Sequence, residues 1–241
     1  MSEKAKYALI ACDVFNEELA VFGGEHPPWH RIEYLEMGLH DNPDNLRIEI
    51  QSAIIRLEKD PEIEVVVLAY GLCGNGLLGV RAMRCPLILP RAHDCVSILL
   101  GGMSPHNAVL KENPGTYFYS PGWVRGKRVP GPDREAHIRK VYDERYPDDE
   151  EMVNDLVEAD SESFAHHNCA AYVDVSENAN AENYCKECAQ HLGWQFRRLQ
   201  GDAAMLQDLI QGNWAEARYL TVPSGHSITL KGHSELTSVL L

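Results

Sequence analysis

The sequence predicts an α/β protein made of two Rossmann-like lobes with parallel sheets, and three observations carry that expectation. Short apolar runs rich in β-branched residues recur, with Val65-Val-Val-Leu-Ala-Tyr70 the clearest. Turns and then stretches of helical spacing follow them, as βα units require. The alternation of strand and helix appears in both halves of the chain, which points to parallel strands with helices packed on them.

Taken in order, Tyr7 to Ala11 reads as a first buried strand and Phe15 to Phe22 as a short helix behind it. Gly23-Gly24 and Pro27-Pro28 make a loop containing His26, Trp29 and His30, and Ile32 to Met37 a second strand. Asn42-Pro43 is a helix start with proline at the first helical position. Leu46, Ile50, Ala53, Ile54 and Leu57 then recur at helical spacing up to Asp60-Pro61. Ile63 to Tyr70 is the strongest strand, followed by a Gly-rich turn and an expected helix from Leu77 to Met83. Leu87 to Leu89 is a strand bracketed by prolines. Asp94 can cap a helix running from Cys95 to Leu100, and Pro105 to Glu112 reads as another. Tyr117 to Tyr119 is a fifth strand, and the Gly/Pro/Arg-rich stretch 121–132 a linker or lid.

In the second half, helices are expected at Arg134 to Arg145, Glu151 to Phe164, Ala181 to Leu192 and Ala203 to Ile210. Strands are expected at Ala170 to Val175, Trp194 to Leu199 and Arg218 to Val222. The expected lobes are therefore 1–125 and 133–241, joined through 126–132.

Charge excludes one class of partner. The 241 residues carry 36 acidic and 22 basic side chains, a formal net charge of −14, with no basic stripe to offset it. Such a chain repels phosphate backbones, so nucleic acid is not an expected partner. The segment Met1 to Lys6 lacks a signal-peptide pattern, and no apolar stretch approaches the ~20 residues that span a bilayer. A cytoplasmic location and no membrane partner follow as expectations. Seven cysteines in a chain without an export signal point to thiol or metal chemistry rather than a disulfide framework.

Three of these cysteines share a position. Cys12, Cys73 and Cys95 each lie just past the end of an apolar run, and in an open parallel sheet the carboxyl ends of the strands line the ligand crevice. In Gly71-Leu-Cys-Gly-Asn-Gly76, the residues Gly74, Asn75 and Gly76 are expected to turn backbone N–H groups toward a cofactor or anion. The glycine spacing is neither the dinucleotide fingerprint nor a Walker loop. A helix starting there would depress the Cys73 pKa; a plain turn with a buried thiol is the simpler alternative. In Arg91-Ala-His-Asp-Cys95, His93 and Cys95 alternate with Asp94, so both can face one side of an extended loop. Cys12, Cys73, Cys95 and His93 are the candidate metal ligands, with Cys12 and His93 as alternatives for the third position. His93, Arg91 and Asp94 are the candidate catalytic groups, although Asp94 also suits a helix cap and His93 simple packing.

Other signals are weaker. Asp13, Glu17 and Glu18 could back Cys12, and Pro223-Ser-Gly-His226 is expected at the same sheet edge. His166-His-Asn-Cys169 could supply a further ligand, while the Cys185-x-x-Cys188 pair reads as mid-helix packing.

Ala11-Cys12, Gly71-x-Cys-Gly-Asn-Gly76 and Arg91-x-His-Asp-Cys95 occur together with Pro114-Gly-Thr-Tyr-Phe118, Pro121-Gly-Trp123, Leu199-Gln-Gly-Asp202 and Gly212-Asn-Trp214. This combination resembles a bacterial and archaeal family catalogued as a domain of unknown function, family 1638. The resemblance implies a soluble cytoplasmic protein, some of whose relatives accompany corrinoid methyltransferase systems. It implies no mechanism, and only Cys12, Cys73, His93 and Cys95 match its recurring pattern.

The function expected on these grounds is a metal-dependent enzyme of methyl-group or one-carbon metabolism, with zinc activating a thiol or small substrate. Arg91 would hold an anionic group of that substrate. An iron–sulfur enzyme with a three-cysteine cluster is the alternative. A corrinoid, heme or metal binding and delivery protein is the non-enzymatic one, and a corrinoid protein a possible partner.

Overall fold

A computed structural model describes residues 6–232 and 235–240 of the chain, so residues 1–5 of the N-terminal segment read above lie outside it. Four strands pair in parallel: β1 (Tyr7–Cys12), β2 (Arg31–Leu35), β3 (Val65–Ala69) and β4 (Leu87–Pro90). Their order is β2-β1-β3-β4, closed at the far edge by β8 (Tyr219–Val222) running antiparallel to β4. This is an α/β fold with parallel-strand sheets, and the strand succession reverses between β1 and β3.

Alternation along the strands sends side chains to both faces. Ala8, Ile10, Val66, Leu68, Leu87 and Leu89 meet α2 (Pro43–Leu57) through Leu46, Ile50, Ala53, Ile54 and Leu57. Full burial of each large aliphatic side chain in that set contributes about 1.5–3 kcal/mol. Asn42 starts the helix, its side chain accepting from the N–H groups of Asp44 and Asn45. Contacts of β3 and β4 with α9 (Ala204–Gln211) involve a helix whose Met205, Leu206, Leu209 and Ile210 are buried.

The stretch 77–83, expected as a helix, is a turn through Gly79 followed by irregular backbone with a single bridge at Arg81. Its backbone pairs instead with β9 (His226–Lys231): Gly79 N donates to Ile228 O, Ile228 N to Val80 O, and Ala82 N to His226 O. Gly79 adopts φ +83°, outside the right-handed helical region, and a run with Gly76 and Gly79 so close has little helix propensity to oppose that pairing. β9 forms a hairpin with β10 (Glu235–Leu240), an element absent from the sequence reading. The turn at Pro223–His226 is also placed differently from expectation. Because β8 is antiparallel, with Leu87 opposite Val222 and Pro90 opposite Tyr219, its carboxyl end points to the edge where β4 begins.

The chain divides into two compact units, one holding the residues up to His106 and again from Gly201, the other Asn107–Gln200. The expected boundary at 126–132 is therefore not where it divides. Physically, β8 returns to complete the first sheet, so the last segment of the chain belongs with the first. The second unit has its own parallel sheet, β5 (Thr116–Tyr119), β6 (Cys169–Asp174) and β7 (Gln195–Gln200), in that order. The 121–132 stretch is ordered rather than a linker. Ser120 caps α5 (Pro121–Arg125), Tyr119 donates to the Pro130 carbonyl at 2.8 Å, and Val129 enters the core with Tyr172, Cys185 and Cys188. Helices α3 (Cys95–Leu99), α4 (Met103–Glu112), α6 (Arg134–Arg145), α7 (Glu150–Glu162) and α8 (Ala179–Leu192) follow the expected positions.

In the second unit Arg134 and Asp160 form a fork, Nε and Nη2 each donating to one carboxylate oxygen at 2.7 Å. Both side chains are only 15% exposed. Arg134→Met would strand the Asp160 carboxylate, and we expect it to lower unfolding free energy by about 2 kcal/mol, just under the range for fully buried pairs. Urea denaturation measures this; an unchanged midpoint would contradict it.

Candidate functional site

The carboxyl ends of β1, β3 and β4 are neighbours in the sheet, and each delivers a cysteine. Cys12 is the last residue of β1. Beyond β3 and β4 the backbone keeps its ladder for two more residues, Leu72 N donating to Ala92 O at 2.9 Å and Cys73 N to His93 O at 2.8 Å. This extension holds Cys73 beside the start of α3, whose first residue is Cys95.

Between them lies Tyr70, 3% exposed, whose hydroxyl has no hydrogen-bond partner among the described residues. Its surroundings are sulfur. Burial first, and then Cys12, Cys73 and Cys95, push its pKa well above the ordinary value. The three thiols thus gather round one buried hydroxyl at the β1/β3 reversal, the point where open α/β sheets bind ligands.

The Cys73 loop is built for this placement. Gly76 N donates to Cys73 O at 3.0 Å, closing a turn whose central residues, Gly74 and Asn75, have φ +61° and +72°. Cys73 itself has φ +46°, a left-handed conformation that costs a non-glycine residue about 1 kcal/mol. Gly76 lies against Leu46 of α2. No helix follows the loop, so the helix dipole expected to depress the Cys73 pKa is absent. Burial, the Cys12 thiol and the Asp94 carboxylate raise it instead.

That shift has a measurable sign. A thiol whose folded pKa exceeds its ordinary 9.0 stabilises the fold while protonated, and the contribution fades once the unfolded thiol begins to ionise. Metal-free protein should therefore lose stability as pH rises through 9, and Cys73 should label slowly with iodoacetamide at pH 7.5. Fast neutral labelling at Cys73 would contradict the assignment.

Asp94 does two things. Oδ1 accepts from Ser97 N at 2.7 Å, completing a capping box with the Ser97 hydroxyl at the head of α3. Oδ2 lies 3.2 Å from His93 Nδ1 and 3.7 Å from His106 Nε2. His93 and Cys95 do not face one side as expected: the His93 side chain is 58% exposed, whereas Cys95 is buried. His93 lies in the loop before the cap and Cys95 in the first turn of α3, and the third residue beside Cys73 and Cys95 is Cys12.

His93 turns instead to a cavity of about 270 Å3, whose polar faces come from Asn75, Arg91, His93 and Glu235. None of the three cysteines lines it, but Leu72 and Asn75, on either side of Cys73 in sequence, both do. Arg91 is held in place by its Nε to Glu216 O at 3.0 Å and by Nη1 to Leu236 O. Gly74 and Gly76 do not line this cavity.

The remaining sequence candidates lie elsewhere. Asp13 bonds Asn16 at 3.2 Å, and Glu18 is completely buried in α1 (Asn16–Gly23). The His166 and His167 rings meet at 4.0 Å, tilted by 39°, and His167 packs on Tyr117, while Cys169 is buried at the start of β6 rather than at its carboxyl end. Cys185 and Cys188 pack in the second unit's core.

Sequence reasoning missed Tyr70, Glu235 and one trio. Among the described residues, His30, Asp60 and Glu62 are the one set of His, Cys, Asp or Glu donors lying within 4.8 Å of one another. They sit where β1 and β3 begin, with Lys6 2.9 Å from Glu62 and Arg31 3.8 Å from Asp60, so cations already balance them. A tyrosine ending the strongest strand was the one available signal for Tyr70, since a buried hydroxyl needs a partner.

A family model described as "protein of unknown function (DUF1638)" matches residues 34–210, a segment that contains Cys73 and Cys95 and begins after Cys12. No curated protein and no solved structure matches. Among the described residues no helix is long and apolar enough to cross a membrane.

Proposed function

The chain belongs to the DUF1638 family, and we propose that it is a metal-dependent enzyme whose metal is held by Cys12, Cys73 and Cys95. The observation that carries this reading is the gathering of three thiols, from three adjacent strand ends, round the buried Tyr70 hydroxyl. Three thiols on adjacent strand ends stand at the edge where open α/β sheets take ligands, and a bound ion would replace their protons.

The donor set fits a soft ion, zinc first, since thiolate ligands select it. When bound, a zinc ion with an open position supplies Lewis acidity that turns a substrate thiol into a nucleophile near neutral pH. The chain's own residues do the rest. Tyr70 offers these sulfurs a buried hydroxyl that has no other partner among the described residues. His93, with Nδ1 toward Asp94, lines the cavity and could carry a proton there, and Arg91 offers an anion-binding face. We extend the reading to methyl-group or one-carbon transfer, with a corrinoid protein as partner, on the strength of the resemblance noted in the sequence.

One observation favours a second reading. Cys12, Cys73 and Cys95 do not form a set with sulfurs all within 4.8 Å of one another, whereas ligands of a single tetrahedral ion crowd together. An iron–sulfur cluster gives each thiolate its own iron and spreads the ligands apart, leaving one iron for substrate.

Elemental analysis with a visible spectrum on protein purified without air decides between them. Zinc near one equivalent and no colour supports the first reading; iron with sulfide and a brown solution supports the second. Protein that takes up neither after reconstitution would sink both. A delivery protein would release its metal readily to a chelator.

A further inference from the structure

We infer that the 270 Å3 cavity beside the thiols binds a zwitterionic α-amino acid with a small apolar side chain, its carboxylate on Arg91 and its ammonium on Glu235. This names the substrate class for the site proposed above and rests on that reading for what happens to the ligand, though not for whether it binds.

The cavity is bipolar. Arg91 and Glu235 both line it, yet among the described residues neither has an ion-pair partner, and they do not pair with each other. Arg91 is bonded only to carbonyls, of Glu216 and Leu236, which fix the guanidinium without neutralising it. Two uncompensated charges of opposite sign in one small space invite a ligand carrying the complementary pair. A dicarboxylate would set one of its groups against Glu235, and a diamine would set one against Arg91. Only a zwitterion satisfies both.

Size and lining fix the remainder. At about 30 Å3 per water the space holds roughly nine waters, the scale of a single small metabolite and below the usual range of ligand pockets. Leu72, Met103 and Leu236 give the third wall, which suits an apolar side chain. Asn75 adds an amide at the rim, brought there by the left-handed turn that places Cys73.

Isothermal titration of the full chain with L-leucine, 4-methylpentanoate and 3-methylbutylamine tests this, the last two lacking the ammonium and the carboxylate respectively. L-leucine should bind about tenfold or more tighter than either, the worth of one charged hydrogen bond. Glu235→Gln, in an exposed hairpin strand, should reduce leucine affinity to that of the acid and leave the acid's affinity unchanged. Arg91→Gln should do the converse with the amine. If the acid binds as tightly as the amino acid, or if no apolar amino acid binds at millimolar concentration, the inference is overturned. The titrations are repeated on chelator-treated protein. Leucine binding in a chain that takes up no metal would then sink the metal reading alone, and metal uptake without amino-acid binding would sink this inference alone.

Discussion

Cys73→Gly combined with Cys95→Ala removes metal binding and leaves the fold standing: that is the result we expect from the double variant. Cys73 sits at φ +46°, where glycine is at ease, so that replacement relieves backbone strain of about 1 kcal/mol while deleting the thiol. Cys95 is the first residue of α3, and alanine is a good helix former there. Its lost sulfur contacts should cost about 1 kcal/mol, so the two changes nearly cancel. Cys12 alone cannot hold an ion against a chelator, because a single thiolate supplies one bond where a closed site supplies three or four. Metal content and thermal melting are read on the same preparation. A variant that melts like the wild type and still carries a full complement of metal would move the centre elsewhere, with His30, Asp60 and Glu62 the first place to look. His30→Ala is the matching control, and should change nothing in either readout.

The thiols could be read from the sequence because their meaning depended on something local. Each follows a strand, and the carboxyl ends of parallel strands share an edge whatever the strand order turns out to be. The cap at Asp94 was legible for the same reason: an Asp followed three residues on by Ser97, at the head of an apolar helical run, satisfies the first N–H groups without any tertiary partner. What failed was non-local. The direction of β8 is decided by its pairing with β4 across more than a hundred residues, and nothing in Tyr219-Leu-Thr-Val222 announces it. The helix expected from Leu77 to Met83 lost to a hairpin at the end of the chain, whose backbone satisfies Gly79, Val80 and Ala82. The same hairpin brings Glu235 to Arg91's cavity, so half of that site was illegible until the hairpin was placed. His93 misled because its spacing from Cys95 suggested a shared face, while the helix that begins at Cys95 takes that thiol into the core and leaves the His93 side chain exposed.

Gly71→Ala is the smallest change that should disable the site, because it acts on the backbone that positions two ligands. A Cβ at residue 71 would stand 2.6 Å from Asp94 N, 2.7 Å from its Cα and 2.9 Å from its carbonyl carbon. All three are backbone atoms of the α3 N-cap, so no side chain can swing aside, and the strain must be met by moving one strand extension off the other. The ladder bonds at stake are Leu72 N to Ala92 O and Cys73 N to His93 O. Overpacking against a rigid neighbour costs about 3 kcal/mol, at the top of the range for added methyl groups, and a change of that size should be plain in a urea melt. Its functional consequence is separable from the loss of stability. At a temperature where the variant is still folded, the Cys73 loop and the Cys95 helix should stand apart, so metal affinity falls while the second unit, with its Arg134–Asp160 fork, is untouched. Gly76→Ala is the comparison. Its Cβ would meet the Leu46 side chain at 2.5 Å and the Cys73 carbonyl at 3.2 Å, so the close contact is one that a side chain can yield. If Gly71→Ala binds metal like the wild type, or is no less stable than Gly76→Ala, the close approach of the β3 extension to α3 is not what holds Cys73 beside Cys95.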